Sequence, residues 1–279
     1  MALDNIASPV SDTPPSYDAI NTSVSTDSTR CKRSVFSFLQ SKQKHCQALV
    51  LSRIHEIVSS PDLNVSSVLS IIKSCAAALP TAEFSNLLQK RNIESHTALY
   101  WAIVNHWREV LLEFVKFIPK FSRACSADLR LVCVTASDHD SFMLLNLGDN
   151  FDSKDKSLRR MLGCPRDDIQ VYEWDTADRS KNHFYVHIVC RMFQKRLRIA
   201  RKVEVEFVAQ GRIWVLHFDM TRKEYWSFEY HLSNDSSPVY HQDAIFEIEA
   251  HKPLPGSDTL QPLCFYSGES CTCKLVPAK

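Results

Sequence analysis

Asp138-His139-Asp140-Ser141 sets two carboxylates, an imidazole and a hydroxyl side by side. Those types serve acid–base and nucleophilic chemistry, in which a histidine takes a hydroxyl proton and a carboxylate orients the ring. Members of such a triad are normally brought together by the fold, not by adjacency. These four fall where a loop between two helices is expected, so no catalytic residue is assigned. His183 and His187 are four apart, but in a strand-like stretch and without the acid of an H-E-x-x-H site. An enzyme or small-ligand site in this region would need His183, His187, His217, His231 or His241 to converge. Cys264, Cys271 and Cys273 form a C-x6-C-x-C cluster whose thiolates could hold a soft metal. There is no paired C-x-x-C, and no fourth ligand is nearer than His241 or His251. Free thiols are therefore expected, and no metal or cofactor is assigned. Lys195, Arg196, Arg198, Arg201 and Lys202 make the dense basic run KRLRIARK. It is the candidate anion-binding site, for lipid headgroups, nucleic-acid phosphates or an import receptor. Glu204 and Glu206 stand close enough to pair with it, and a solvated connection between two strands is the expected structure.

The elements that carry these residues follow from length, composition and period. The chain has 279 residues, 44% of them hydrophobic and 23% charged, as in an ordinary globular protein of about two domains. Its net charge of +1 argues against nucleic-acid binding by bulk charge. The five glycines lie at least 12 residues apart, which excludes a G-x-G-x-x-G fingerprint and a Walker-type phosphate loop. Met1 to Arg30 lacks a basic start followed by an apolar stretch, and no apolar run reaches the roughly 18 residues that span a bilayer. A cytoplasmic location is expected, with the nucleus as the alternative, and thiols are expected to stay reduced there.

Residues 1–33 are expected to be a disordered tail. Ten of the first thirty are Ser or Thr and three are Pro, too little apolar surface to offset ordering. Residues 34–147 are expected to be helical. Ala48, Leu51, Ile54 and Val58 share one helix face; Val68, Ile71, Ile72, Cys75 and Leu79 share the next, capped by Asn64 or Ser66. Pro80 breaks that helix, and Thr81 is expected to cap a third through Leu88. Residues 148–168 read as a polar linker with one helical turn near Leu158. From 169 to 279 the period becomes two, as in an antiparallel β domain. Val203, Val205 and Phe207 alternate with charged residues; Trp214, Leu216, Phe218 and Met220 alternate in turn. Gln210-Gly211 between them predicts a two-residue hairpin.

Ser95 to Val115 resembles an ankyrin repeat. Thr97-Ala98-Leu99-Tyr100 stands where that family has T-P-L-H, Ala102 matches the small residue between the helices, and Glu109, Val110, Phe114 and Val115 follow the second helix. Ala98 replaces the proline and Tyr100 the histidine. His106-Trp107 stands where Gly-His would sit, so the turn must be made without glycine. A weaker copy runs from Ala127 to Leu147, through Leu129, Leu131, Cys133, Val134, Phe142, Leu144 and Leu145. Its offset of 31 residues is close to the family's spacing of about 33. The resemblance implies stacked helix pairs and protein binding, with Tyr100, Trp101 and Trp107 as candidate anchors. Pro14-Pro15-Ser16-Tyr17 resembles the P-P-x-Y ligands of WW domains, which makes a WW-domain protein a candidate partner through Pro14, Pro15 and Tyr17. The layout is also similar to uncharacterised fungal proteins of the mushroom group, a likeness that implies no function.

The expectation is an α+β chain, an N-terminal helical, ankyrin-like module plus a C-terminal antiparallel β-sandwich or barrel. Its expected role is that of a non-enzymatic adaptor, with an enzyme and a peripheral membrane protein as the alternatives.

Overall fold

A computed structural model describes residues 30–60, 64–148, 153–174, 184–221, 225–234, 236–237, 245–248, 263–266 and 272–274. The tail expected to be disordered, with Pro14, Pro15 and Tyr17, lies outside them up to residue 29. The chain divides into two compact units, Met1–His45 and Cys46–Lys279. The packing below is within the second.

Helices come first in the chain. After α1 (Arg30–Ser59), Asn64 Oδ1 accepts from Ser66 N at 2.9 Å and starts α2 (Val65–Ala78). Val68, Ile72, Cys75 and Leu79 are buried, as their spacing requires. Pro80, not Thr81, occupies the N-cap of α3 (Thr81–Gln89) and makes no side-chain cap. A proline suits a helix start because it has no N–H to leave unpaired.

Two helix pairs follow, α4 (Ala98–Val104) with α5 (Arg108–Lys116), and α6 (Arg123–Thr135) with α7 (His139–Leu144). Their turns are the same structure 31 residues apart. In the first, His106 N donates to Ile103 O and Trp107 N to Ala102 O; in the second, Ser137 N donates to Val134 O and Asp138 N to Cys133 O. His106 (φ 55°) and Ser137 (φ 49°) occupy the left-handed region that glycine adopts most readily. Left-handed backbone costs an L-residue about 1–2 kcal/mol. The pairs are tied at nearly the same spacing. Asp128 on α6 takes Thr97 N at 2.8 Å, His96 Nδ1 at 2.9 Å and Arg91 Nε at 3.2 Å, while Ser122 N donates to Gln89 Oε1 at 2.6 Å. Leu129, Cys133, Phe142 and Leu145 are buried, but Leu131 is exposed because α6 begins well before Ala127 and turns it outward.

The stretch expected to be a linker is part of the packed unit. It holds α8 (Ser153–Met161), with Asp155 and Leu158 buried. Gly163 (φ 58°) ends α8: Cys164 N reaches back to Arg159 O at 2.9 Å, and Gly163 N to Arg160 O at 3.3 Å. Next come β1 (Asp168–Glu173), β2 (Phe184–Val189), α9 (Phe193–Ala200), β3 (Lys202–Ala209), β4 (Arg212–Met220), β5 (Tyr225–Leu232), β6 (Ile245–Ile248), β7 (Leu263–Tyr266) and β8 (Thr272–Lys274). Among the described residues the strands form three antiparallel sheets, β1-β2, β3-β4-β5-β8 and β6-β7.

The β3–β4 hairpin turns as its sequence requires. Ala209 pairs with Arg212, and Gln210 (φ 51°) and Gly211 (φ 65°) both take the left-handed backbone of a two-residue turn. Its two faces serve two cores. Val203, Val205, Phe207, Trp214, Leu216, Phe218 and Met220 pack with Ile169 and Ile188 of the β1–β2 hairpin. Val208 and Ile213, on the opposite face, join the core of α1 to α7. Helices and sheet therefore share apolar burial across the boundary that composition suggests at 148–168.

Polar contacts fix the same junction. Arg130 on α6 meets Glu206 on β3 in a bidentate pair, at 2.8 and 3.2 Å, and also donates to Leu147 O at 2.7 Å and Ser233 Oγ at 3.3 Å. Gly148 lies against this pair; a Cβ there would meet Phe142 Cε1 at 3.1 Å and Glu206 Cβ at 3.3 Å.

Candidate functional site

The chemistry-bearing run on α7 is built into the junction. Asp138 caps the helix, accepting from Ser141 N at 2.9 Å. His139 is buried between strands: its Nε2 lies 3.1 Å from Ile169 O, and Val208 N donates to its Nδ1 at 3.3 Å. One donor and one acceptor describe a neutral ring, and burial lowers its pKa below the usual histidine value. Ser141 Oγ has no hydrogen bond to His139 in this arrangement.

The described histidines of the strands lie in two places. His187 is exposed on β2. His217 and His231 share the face of β4 and β5 that carries Val215 and Ile213, with Glu204 and Glu229 directly opposite His217. His217 Nε2 is 2.9 Å from Asp219 Oδ2, at ion-pair distance but out of line for a hydrogen bond, and its Nδ1 is 4.0 Å from Glu204 Oε1. Lys202 Nζ pairs with the same Glu204 oxygen at 2.8 Å. A cavity of about 50 Å³ opens beside this row, lined by Asn146, Arg159, Arg166, Asp167, Glu204 and Glu206 among others. That is room for a few waters, against the roughly 300–1,000 Å³ of a small-molecule site. His183 and His241 lie outside the described residues.

Cys264 stands on β7 opposite Glu247, whereas Cys273 stands on β8 opposite Trp226, in a different sheet. Cys271 is outside the described residues. Burial pushes the thiols of Cys125 and Cys190 up to about 12 and raises those of Cys133 and Cys75.

Most of the basic run is helix α9 and not a solvated strand connection; Arg201 is its C-cap and Lys202 opens β3. Phe193, Arg196, Leu197 and Ala200 form its inward face. Arg196 is 0% exposed. Its Nε and Nη2 donate to Asp155 at 2.9 and 2.7 Å, and its Nη1 to Asp167 Oδ1 at 2.6 Å and Arg191 O at 3.1 Å. Burial works against its charge, but these carboxylates together outweigh burial and raise its pKa, so it is a structural cation withdrawn from any surface ligand. Lys195 and Arg201 are exposed, Arg198 and Lys202 half-buried.

The three helical aromatics are half-buried. Tyr100 stacks on His96 with ring centroids 3.8 Å apart, and Trp101 meets both rings edge-on. Trp101 Nε1 donates to Ile93 O at 3.1 Å, and Trp107 packs on the helical core. All three pack against the helical core and stay partly open to solvent.

A larger aromatic surface sits on the β1–β2 hairpin. Ile169 and Val171 face inward with Phe184, Val186 and Ile188. The alternate positions face outward. Tyr172 is 48% exposed and pairs directly with Tyr185, 53% exposed, at 6.0 Å between ring centroids; Trp174, 57% exposed, comes directly after the end of β1. Sequence reading passed over these residues. The signal was the position of Tyr172, Trp174 and Tyr185, one step out of phase with Val171 and Val186.

Comparison with protein-family models, with curated proteins and with solved structures gives no match. No helix among the described residues is long and apolar enough to cross a membrane.

Proposed function

We propose that this chain is a non-enzymatic interaction protein, an adaptor whose partners are other proteins. The observation that carries this reading is the outward face of the β1–β2 hairpin, where Tyr172, Tyr185 and Trp174 stand exposed together. Rigid aromatics grouped at the surface are the residue types that dominate binding energy at protein interfaces. The groups suited to catalysis support the same reading, because Asp138 and His139 serve as a cap and a buried bridge.

The ankyrin-like helix pairs are the second binding element. Their repeated turns and the ties through Asp128 support repeat stacking, and the half-buried Tyr100, stacked on His96, is the anchor read for a partner there. The P-P-x-Y motif at Pro14, Pro15 and Tyr17 adds a WW-domain protein as a further partner. We read the strands as a sandwich, since the β1–β2 hairpin lies against the Phe207–Trp214 face of the larger sheet. A cytoplasmic or nuclear setting fits the seven unpaired thiols among the described residues.

The test is affinity capture of the full chain from its native cell extract, beside Tyr172→Ser/Tyr185→Ser and Tyr17→Ala variants. Partners retained by the wild type and lost with the tyrosine pair are the expected result. Identical retention by all three chains would overturn it.

A further inference from the structure

The positive charge of this protein is concentrated on α8 and α9 and on the residues that flank them. Residues 153–168 and 191–202 hold eleven Lys and Arg against three Asp, a net +8 in a chain whose total is +1. Two of those three carboxylates, Asp155 and Asp167, point inward and are held by Arg196. That cluster joins α8 to α9 and leaves cations on the outside. Arg160, Arg166, Arg191 and Lys195 are exposed.

Large apolar side chains stand among them. Met161 is 80% exposed, Ile199 57% and Met192 49%. On α9, Lys195 and Ile199 lie one turn apart, away from buried Arg196 and Leu197. On α8, Arg160 and Met161 face away from buried Asp155 and Leu158. Single exposed apolar side chains are ordinary on a protein surface, but three of them on segments with a surplus of cations make a composition that suits an anionic bilayer. Phosphates of a nucleic acid reward the cations alone. A bilayer with anionic lipids rewards both, the cations through its surface potential and the apolar groups through burial at the acyl boundary.

We propose that the outward faces of α8 and α9 dock on an anionic membrane surface, with Met161, Met192 and Ile199 entering the headgroup layer and Arg160, Arg191 and Lys195 against the lipid phosphates. This surface differs from the one read from KRLRIARK, since Arg196 is withdrawn and α8 contributes.

The test is co-sedimentation of the full chain with vesicles of phosphatidylcholine alone or with about 30% phosphatidylserine, enough to set up a negative surface potential. Binding to the anionic vesicles only, weakening as salt shortens the screening length, is expected. A cation near such a surface contributes about fivefold in affinity, so Arg160→Glu/Lys195→Glu should bind at least about 25-fold more weakly. Met161→Ser/Ile199→Ser keeps every charge and should still lose about tenfold through lost apolar burial. Arg160→Lys/Lys195→Arg should bind as the wild type does. All six substitutions are at exposed positions, and unchanged thermal unfolding will confirm intact folds. Equal binding to both vesicles, or none to either, would overturn the proposal. So would a Met161→Ser/Ile199→Ser chain that binds like the wild type and is displaced by a DNA duplex, which would mark a polyanion site. These substitutions leave Tyr172 and Tyr185 in place, so the outcome is separate from that of the interaction reading.

Discussion

Replacing Arg196 by alanine should cost the fold about 3–5 kcal/mol, the range for removing one partner of a buried ion cluster. The structure places it there. Arg196 is fully buried and gives four hydrogen bonds, three of them to the buried carboxylates of Asp155 and Asp167. Alanine would leave those carboxylates with Arg159, at 3.4 and 4.0 Å, and with the Arg191 N–H that donates to Asp167 at 2.9 Å. Domains are stable by about 5–15 kcal/mol, so the loss would be a large share of the total. Urea unfolding followed by tryptophan fluorescence would read it as a lower midpoint. Lys195→Ala, on the neighbouring exposed residue, should stay within about 0.5 kcal/mol. The loss at Arg196 should change little with salt, because buried pairs are weakly screened. Arg196→Met together with Asp155→Asn and Asp167→Asn should recover much of it, since no charge is then buried unpaired. A cost below about 1 kcal/mol for Arg196→Ala, or one equal to that of Lys195→Ala, would refute the argument that the cluster holds α8 and α9 together.

Three further outcomes follow from the same geometry. His106→Gly should raise the urea midpoint by an amount worth about 0.5–1 kcal/mol, because His106 is exposed at φ 55°, whereas His106→Val should lower it. His139 is neutral in the fold with a lowered pKa, so the unfolded chain takes up its proton first as pH falls; stability should drop below the ordinary value of 6.5 and level off under the folded pKa. His139→Gln should lose this part of the pH dependence, and parallel stability curves for the two proteins would contradict the assignment. With a thiol reagent at about pH 8, a pKa of about 12 leaves Cys125 and Cys190 with roughly one thiolate in 10⁴, so both should react only on unfolding while exposed Cys264 reacts at once.

The elements that could be read from sequence are those whose side chains obey one period and whose turns need one residue type. The β3–β4 hairpin is such a case, with alternation on both strands and Gly211 at the turn. The buried face of α2 is another. Residues 148–168 could not be read this way, because composition counts Asp155, Asp167 and Arg196 as polar whether they face water or each other. The helix-pair turns were obscure for a related reason: His106 and Ser137 accept a left-handed backbone that glycine would have announced. The aromatic hairpin face was hidden because an exposed tyrosine and a core tyrosine differ only in phase, and the phase of β1 is set by its pairing with β2. The basic run was visible as charge, but which cation is buried depends on where α8 packs.

The central claim is that the outward face of the β1–β2 hairpin binds protein. Its most direct test is a photo-crosslinking amino acid in place of Trp174 in the full chain, irradiated in native extract. A discrete protein adduct at that position, lost when Tyr172 and Tyr185 are both serine, is the predicted result. No adduct, or adducts indifferent to the two tyrosines, would contradict it.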